Sequence, residues 1–245
     1  MSGAARQMRI GMLTPSSNTV VEPYTSALLA PLFPDVTAHF SRFTVTRIAL
    51  DQQANAQFSL EPILAAARLL ADARVDVIAW NGTSAAWLGI DKDETLCARL
   101  AEECAAVATS AVISLMKILK TRDTRRIGLV TPYTPDVQSR VIDNFKDLGI
   151  EVIAERHAGL SDNFSFAEME EDTIADLCRA VSKAGPKAIV ILCTNMRGPM
   201  IAASLEQELG IPIYDSVAFT LWGCLDVTGI DMTPLADFGS LFSSA

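Results

Sequence analysis

Histidine, the side chain that most readily moves protons near neutral pH, is almost missing. The chain has only His39 and His157, and neither stands in a metal-ligand spacing. Acid–base chemistry here has to be run by something else. Cysteine is also sparse: Cys97, Cys104, Cys178, Cys193 and Cys224 form no CxxC and are odd in number. That pattern excludes a closed disulfide framework and reads as reduced thiols. Basic charge is in deficit, with 20 Lys and Arg against 29 Asp and Glu and a net charge of −9. Without a basic stripe, a nucleic-acid backbone is excluded as partner. An anionic small substrate is not, because a local site can be dipolar inside an acidic whole. No apolar run approaches a membrane span, and the first eight residues lack the apolar stretch of a secretory signal, so the expected location is the cytoplasm. Neither GxxxxGK[ST] nor GxGxxG occurs, so no triphosphate or dinucleotide cradle is written.

What is present is a soluble globular composition, half apolar and one-fifth charged, and an alternation of short apolar runs with longer helical patterns. Met8–Leu13, Val75–Trp80, Ile127–Val130, Val152–Glu155, Ala188–Leu192 and Pro212–Tyr214 read as buried strands. Leu60–Ala73, Lys92–Leu119, Thr134–Leu148, Glu168–Ala184 and Pro199–Leu209 carry helical periodicity. This order predicts an α/β protein with parallel sheets covered by helices.

The chain also repeats itself. "RIGMLTPSSNT" at 9–19 returns as "RIGLVTPYTPD" at 126–136, and "VDVIAWNGTS" at 75–84 has its counterpart in "KAIVILCTN" at 187–195. Any two strand-to-helix turns share Gly, Ser, Thr and Asn for capping. Two pairs in the same order argue for more: two similar Rossmann-like lobes related by a pseudo-twofold axis, with the site in the cleft between them. The expected division is 1–119 for the first lobe, completed by a C-terminal helix at about 222–245, and 120–221 for the second. The polar run "KTRDTRR" at 120–126 is the joint.

Ligands of open α/β sheets bind beyond the carboxyl ends of the strands. Those ends carry Ser16, Ser17 and Asn18, then Gly82, Thr83 and Ser84, then Tyr133, then Cys193, Thr194 and Asn195. Most are short hydrogen-bonding side chains before a helix, a setting that suits a carboxylate. Cys193 is the one cysteine at a strand end. If a helix starts behind it, its thiol pKa falls and a thiolate serves as base or nucleophile; the alternative is an inert core thiol. Tyr133 is a donor for an oxyanion, or else an amphipathic surface tyrosine. Asn163, in "GLSDNFSF", reaches the cleft from a loop or caps a turn. Trp80 and Trp87 flank the Gly-Thr-Ser turn and wall an apolar pocket or simply pack.

Taken together, "PSSNTVVEP", "NGTSAAWLG", "TPYTPDV" and "CTNMRG" resemble the aspartate/glutamate racemase superfamily, in its maleate isomerase and arylmalonate decarboxylase branch. The likeness runs over nearly the whole chain. It implies an enzyme that needs no cofactor or metal and acts on a small carboxylate or dicarboxylate, and it leaves a homo-oligomer open. In the racemases and maleate isomerases each lobe supplies a cysteine. Here the second matches Cys193 and the first falls on Gly82. That departure speaks against two-base racemisation and against attack by a first thiolate. Gly-Thr-Ser with a single later cysteine is similar to the decarboxylases, where donors hold an enediolate and the lone thiol protonates it. "PSSNT" and Asn163 are closer to the maleate isomerases, and a carboxylate-binding protein that lost catalysis is a third reading. Strand-end position and resemblance together make Cys193 and Tyr133 the candidate catalytic residues and Ser16, Ser17, Asn18, Gly82, Thr83, Ser84, Asn163, Thr194 and Asn195 the candidate substrate-binding residues. A cysteine introduced at Gly82 is expected to face Cys193 and to bring racemisation.

Overall fold

In the computed structural model, which describes residues 7–243, the repeat is written twice in the sheets. Residues 1–6 and 244–245, both expected in the first lobe, lie outside the described residues. The first lobe runs β1 (Met8–Pro15), α1 (Val21–Leu29), β2 (Val36–Phe43), α2 (Gln52–Ala56), α3 (Leu60–Asp72), β3 (Val77–Trp80), α4 (Ala85–Leu88), α5 (Ile90–Cys104), β4 (Val107–Ser110) and α6 (Ala111–Thr121). The second runs β5 (Arg126–Thr131), α7 (Pro135–Asp147), β6 (Glu151–His157), α8 (Glu171–Ser182), β7 (Ala188–Ile191), α9 (Ala202–Leu209), β8 (Ile213–Asp215) and α10 (Ser216–Thr228). The strand orders are β2-β1-β3-β4 and β6-β5-β7-β8, all parallel. Each strand of one sheet therefore has its counterpart in the other, and the protein is an α/β fold of two lobes.

The central strands explain why they were readable. β3 and β7 are buried along their whole length, as strands covered by helices on both faces must be, and so they are unbroken apolar runs. The edge strands differ. β2 is mostly half-exposed, and β4 opens with Val107 exposed. Neither makes an apolar run. The helical pattern expected over Lys92–Leu119 is in fact α5, β4 and α6: a four-residue strand interrupts it without disturbing the surrounding periodicity. At the far end, the helix expected at about 222–245 lies at Ser216–Thr228, followed by two 3-10 turns over Thr233–Phe238 and Ser240–Phe242.

Register fixes the correspondence between the lobes. Leu13 pairs with Trp80 and Val130 with Ile191, so Thr14-Pro15 matches Thr131-Pro132, and Gly82 matches Cys193, each two residues past its strand. On the other side Trp80 pairs with Ser110 and Ile191 with Asp215, and both partners cap the helix that follows. Ser110 Oγ accepts from Ile113 N at 3.1 Å, and Asp215 Oδ1 accepts from Val217 N at 2.7 Å and Ala218 N at 3.2 Å; such caps satisfy backbone donors that the helix cannot. The helix Asp215 starts, α10, is buried on most of its circumference, as a helix apolar all round must be. It leaves its own sheet and packs against α6, α1, β3 and β4 of the first lobe.

Candidate active site

Gly82, Thr83, Ser84, Tyr133, Asn163, Cys193 and Thr194 converge on one cavity at the carboxyl ends of the strands, between the lobes. The rest of its wall is Pro15, Val45, Ile48, Phe58, Trp80 and Trp87. Its volume of about 20 Å³ suits roughly one water molecule. A cover accounts for the closure. The loop after β2 reaches from the first lobe to the loop after β6: Ile48 N donates to Ser161 O at 2.8 Å and Asn163 N to Thr46 O at 2.9 Å, around an antiparallel bridge between Arg47 and Asp162. No substrate of more than a few atoms enters until this cover parts or a wall side chain moves.

Three residues form a chain across the lobes. Thr83 Oγ1 and Tyr133 Oη lie 2.6 Å apart, and the Tyr133 hydroxyl is close enough to the Cys193 thiol to lower its pKa. Tyr133 is 1% exposed, which removes the surface-tyrosine reading. Its pKa is pushed well up by burial first and by the neighbouring Cys193 second, so it stays a neutral donor. Cys193 is pushed up to about 12, chiefly by burial and to a smaller extent by Asp215. The Asn195 N–H and the Tyr133 hydroxyl act the other way. The Asn195 contact is 3.4 Å, N to Sγ.

That result corrects the expectation of an activated thiolate. β7 is followed by an irregular stretch, and α9 starts only at Ala202, so no helix begins behind Cys193 to lower its pKa. What remains is desolvation, which favours the uncharged thiol. Cys193 therefore rests as a neutral thiol, with the Tyr133 hydroxyl beside it.

Ser16, Ser17, Asn18 and Asn195 stand behind the cavity in a polar network that ties the lobes together. Ser17 Oγ donates to Val45 O at 2.7 Å and accepts from Asn163 Nδ2 at 2.8 Å; Ser16 Oγ accepts from Val45 N at 3.2 Å. Asn18 Oδ1 accepts from Val20 N and Val21 N, both at 2.9 Å, at the start of α1, and its Nδ2 donates to Thr194 Oγ1 at 3.3 Å. Asn195 accepts from Thr19 N at 3.0 Å and donates to Asn163 O at 2.5 Å. These side chains spend their hydrogen bonds on protein, holding the loops that carry Asn163 and Thr194.

Rings make up the apolar side. Phe43, Trp80, Phe58, Trp87, Tyr133 and Phe166 form a continuous series of contacts with centroids 5.1–6.4 Å apart. Val45, Ile48 and Phe58 were not singled out in the sequence. They lie on the segment after β2, an edge strand with no apolar run to announce it. Among the described residues, no Lys, Arg or His lines the cavity.

A family model described as arylmalonate decarboxylase matches residues 10–242. The maleate isomerase of Geobacillus stearothermophilus is 26% identical over 251 residues, covering 98% of each chain. The arylmalonate decarboxylase of Bordetella bronchiseptica is 23% identical over 239 residues, covering 96% of this chain and 97% of its own. Among solved structures, the maleate isomerase Iso from Pseudomonas putida S16, in a cysteine-to-alanine variant with maleate, superposes with a TM-score of 0.88. It is 23% identical and covers 98% of this chain and 99% of its own, a likeness of fold.

Proposed function

Because the chain belongs to the arylmalonate decarboxylase family, we propose that it is a lyase that removes CO₂ from a small substituted malonate, with Cys193 as the proton donor. The observation that carries this reading is the asymmetry of the cleft. One wall holds a protonated thiol, Cys193. The corresponding position opposite is Gly82, which has no base to offer.

The chemistry balances with these groups alone. The bond from the α-carbon to one carboxylate breaks, and its electron pair moves into the remaining carboxyl group as an enediolate. That charge grows on oxygen, where Thr83, Ser84 and Tyr133 hydroxyls stand as neutral donors; preorganised donors are often the largest contribution to catalysis. The departing carboxylate faces Val45, Ile48 and aromatic edges, which solvate its charge poorly and favour neutral CO₂. Cys193 then gives its proton to the α-carbon on one face, and the thiolate is reprotonated from solvent.

Maleate-type cis–trans isomerisation is the second reading, supported by the 26% identity to a curated maleate isomerase. It needs a nucleophilic thiolate, which the burial of Cys193 opposes, and a place for two persistent charges in a cleft without a cation. Both readings are separated by incubating the protein with phenylmalonate, methylmalonate, maleate and the aspartate enantiomers in D₂O and following each by NMR. Loss of CO₂ from a malonate with one deuterium gained at the α-carbon supports the proposal. Fumarate from maleate with intact malonates overturns it in favour of isomerisation. Saturable binding without turnover across the set means a carboxylate-binding protein instead.

A further inference from the structure

Two side chains on the first-lobe wall have hydrogen-bonding capacity that no described residue uses. Trp87 Nε1 is buried without a partner. Ser84 lines the same cavity, and its Oγ makes no hydrogen bond among the described residues. Both belong to one turn: Trp87 N donates to Ser84 O at 3.1 Å, so the two side chains are one turn apart on a shared face. The Trp87 ring is held edge-on between Phe58, at 5.9 Å, and Tyr133, at 5.3 Å, and it too lines the cavity.

An indole N–H can only donate, and a buried tryptophan ordinarily finds an acceptor for it. Leaving a donor unpaired in the interior is costly enough that such groups call for an explanation. Here the missing acceptor is explained by a ligand oxygen. A carboxylate is the matching group: it is acceptor-only, and it can take one hydrogen bond on each oxygen.

We propose that Trp87 Nε1–H and Ser84 Oγ–H together clamp one carboxylate of the substrate, adding Trp87 to the binding residues. This rests on the reading that the cleft takes a carboxylic acid. The clamp adds Trp87 to Thr83, Ser84 and Tyr133 around the carboxyl group that becomes the enediolate and leaves Cys193 to act at the reacting carbon. It also holds an anion with neutral donors only, so the carboxylate is oriented without a cation that would anchor its charge.

The test uses phenylacetate and succinate, carboxylates with no group to lose to this chemistry, and measures their binding by calorimetry. Trp87→Phe keeps the ring and deletes the donor. Affinity is expected to fall about tenfold, while the melting temperature of the unliganded variant equals or exceeds that of the wild type, because no unpaired N–H is left behind. A purely structural tryptophan gives the reverse: lower melting temperature and unchanged affinity. If Trp87→Phe does not fold, ¹⁵N-labelled indole spectra of the wild type decide. The Trp87 N–H signal should move downfield on saturation; its failure to move overturns the clamp. Turnover of a malonate with undiminished affinity in Trp87→Phe overturns the clamp and leaves the proposed function standing. A wild type that binds and turns over no carboxylate removes both.

Discussion

The Trp80 indole occupies the space that any side chain at Gly82 would need. A β-carbon on Gly82 would run into Cζ2, Cε2 and Cη2 of the ring, and even Cη2 would be only 2.5 Å away, where carbon atoms normally keep about 3.5–4.0 Å. Gly82 is not among the positive-φ glycines, so backbone strain is not the obstacle. The first wall of the cleft has an indole edge where the racemases and isomerases of the resemblance have a thiol.

Gly82→Cys is therefore not the simple gain of a second base that the sequence suggests. The cysteine has to displace a ring that is itself packed against Phe43 and Phe58, and such overpacking typically costs about 1–3 kcal/mol. A space for the ring exists: a cavity of about 190 Å³ shares Trp80, Phe58 and Ser84 with the cleft. Gly82→Cys alone should lower stability in denaturant titrations. Gly82→Cys with Trp80→Leu should recover most of that loss and show α-proton exchange in D₂O above the wild type. Exchange by the single variant at full stability would mean that the indole yields freely.

Cys193→Ala should abolish turnover and leave the fold intact. Cys97→Ala and Cys178→Ala should cost roughly 1 kcal/mol of buried contact each and leave turnover unaltered, since both are helix-borne core thiols pushed up to about 12 by burial. With its own thiol up at about 12, Cys193 should be alkylated by iodoacetamide slowly at pH 7 and faster with every unit of rising pH. A rate that is already on a plateau at neutral pH would indicate a resting thiolate and reopen nucleophilic chemistry.

Tyr133→Phe should reduce kcat by about a hundredfold, the scale for one preorganised donor, with a smaller change in KM. Thr83→Val removes a second enediolate donor together with the 2.6 Å partner of the Tyr133 hydroxyl, so it too should lower kcat more than it raises KM. A pair of variants in which KM alone rises would place both hydroxyls in ground-state binding.

How much of this could be read from residues alone depended on burial. β1, β3, β5 and β7 were legible because central strands are apolar on both faces, and the turns after them were legible because Gly-Thr-Ser and Cys-Thr-Asn sit at equivalent strand ends. The edge strands β6 and β8 were legible too, from Val152–Glu155 and Pro212–Tyr214, although β6 is half-buried rather than buried; β2 and β4 were not, because polar and exposed residues break any apolar run in them. With β2 unseen, the segment carrying Val45, Ile48 and Phe58 had nothing to attach it to the cleft. The state of Cys193 was misread for a related reason. A thiol's pKa follows from how deeply it is buried and where the next helix begins, and no spacing in "CTNMRGPM" announces that α9 waits until Ala202.

Asp215 gives a prediction with a definite sign. Its Oδ1 caps α10, its Oδ2 is buried without a partner among the described residues, and burial raises its pKa to about 8 against the capping N–H groups that lower it. Asp93, whose Oδ2 accepts from Ser110 Oγ at 2.5 Å, is raised by burial to about 7. Between the ordinary carboxylate range and these values the folded protein keeps a proton that the unfolded chain has released. Stability from both groups is therefore complete below about pH 4 and declines as pH rises, by at most about 1.4 kcal/mol per unit for each. The decline levels off near pH 7 for Asp93 and near pH 8 for Asp215. The depressed carboxyls Asp51 and Asp136 work at the acid end and do not mask this window. Asp215→Asn cannot ionise and keeps an oxygen for the cap, so its stability measured by urea unfolding should lose less than that of the wild type between pH 5 and pH 8. Parallel pH profiles for the two proteins would show that Asp215 is already ionised at pH 5 in the folded state.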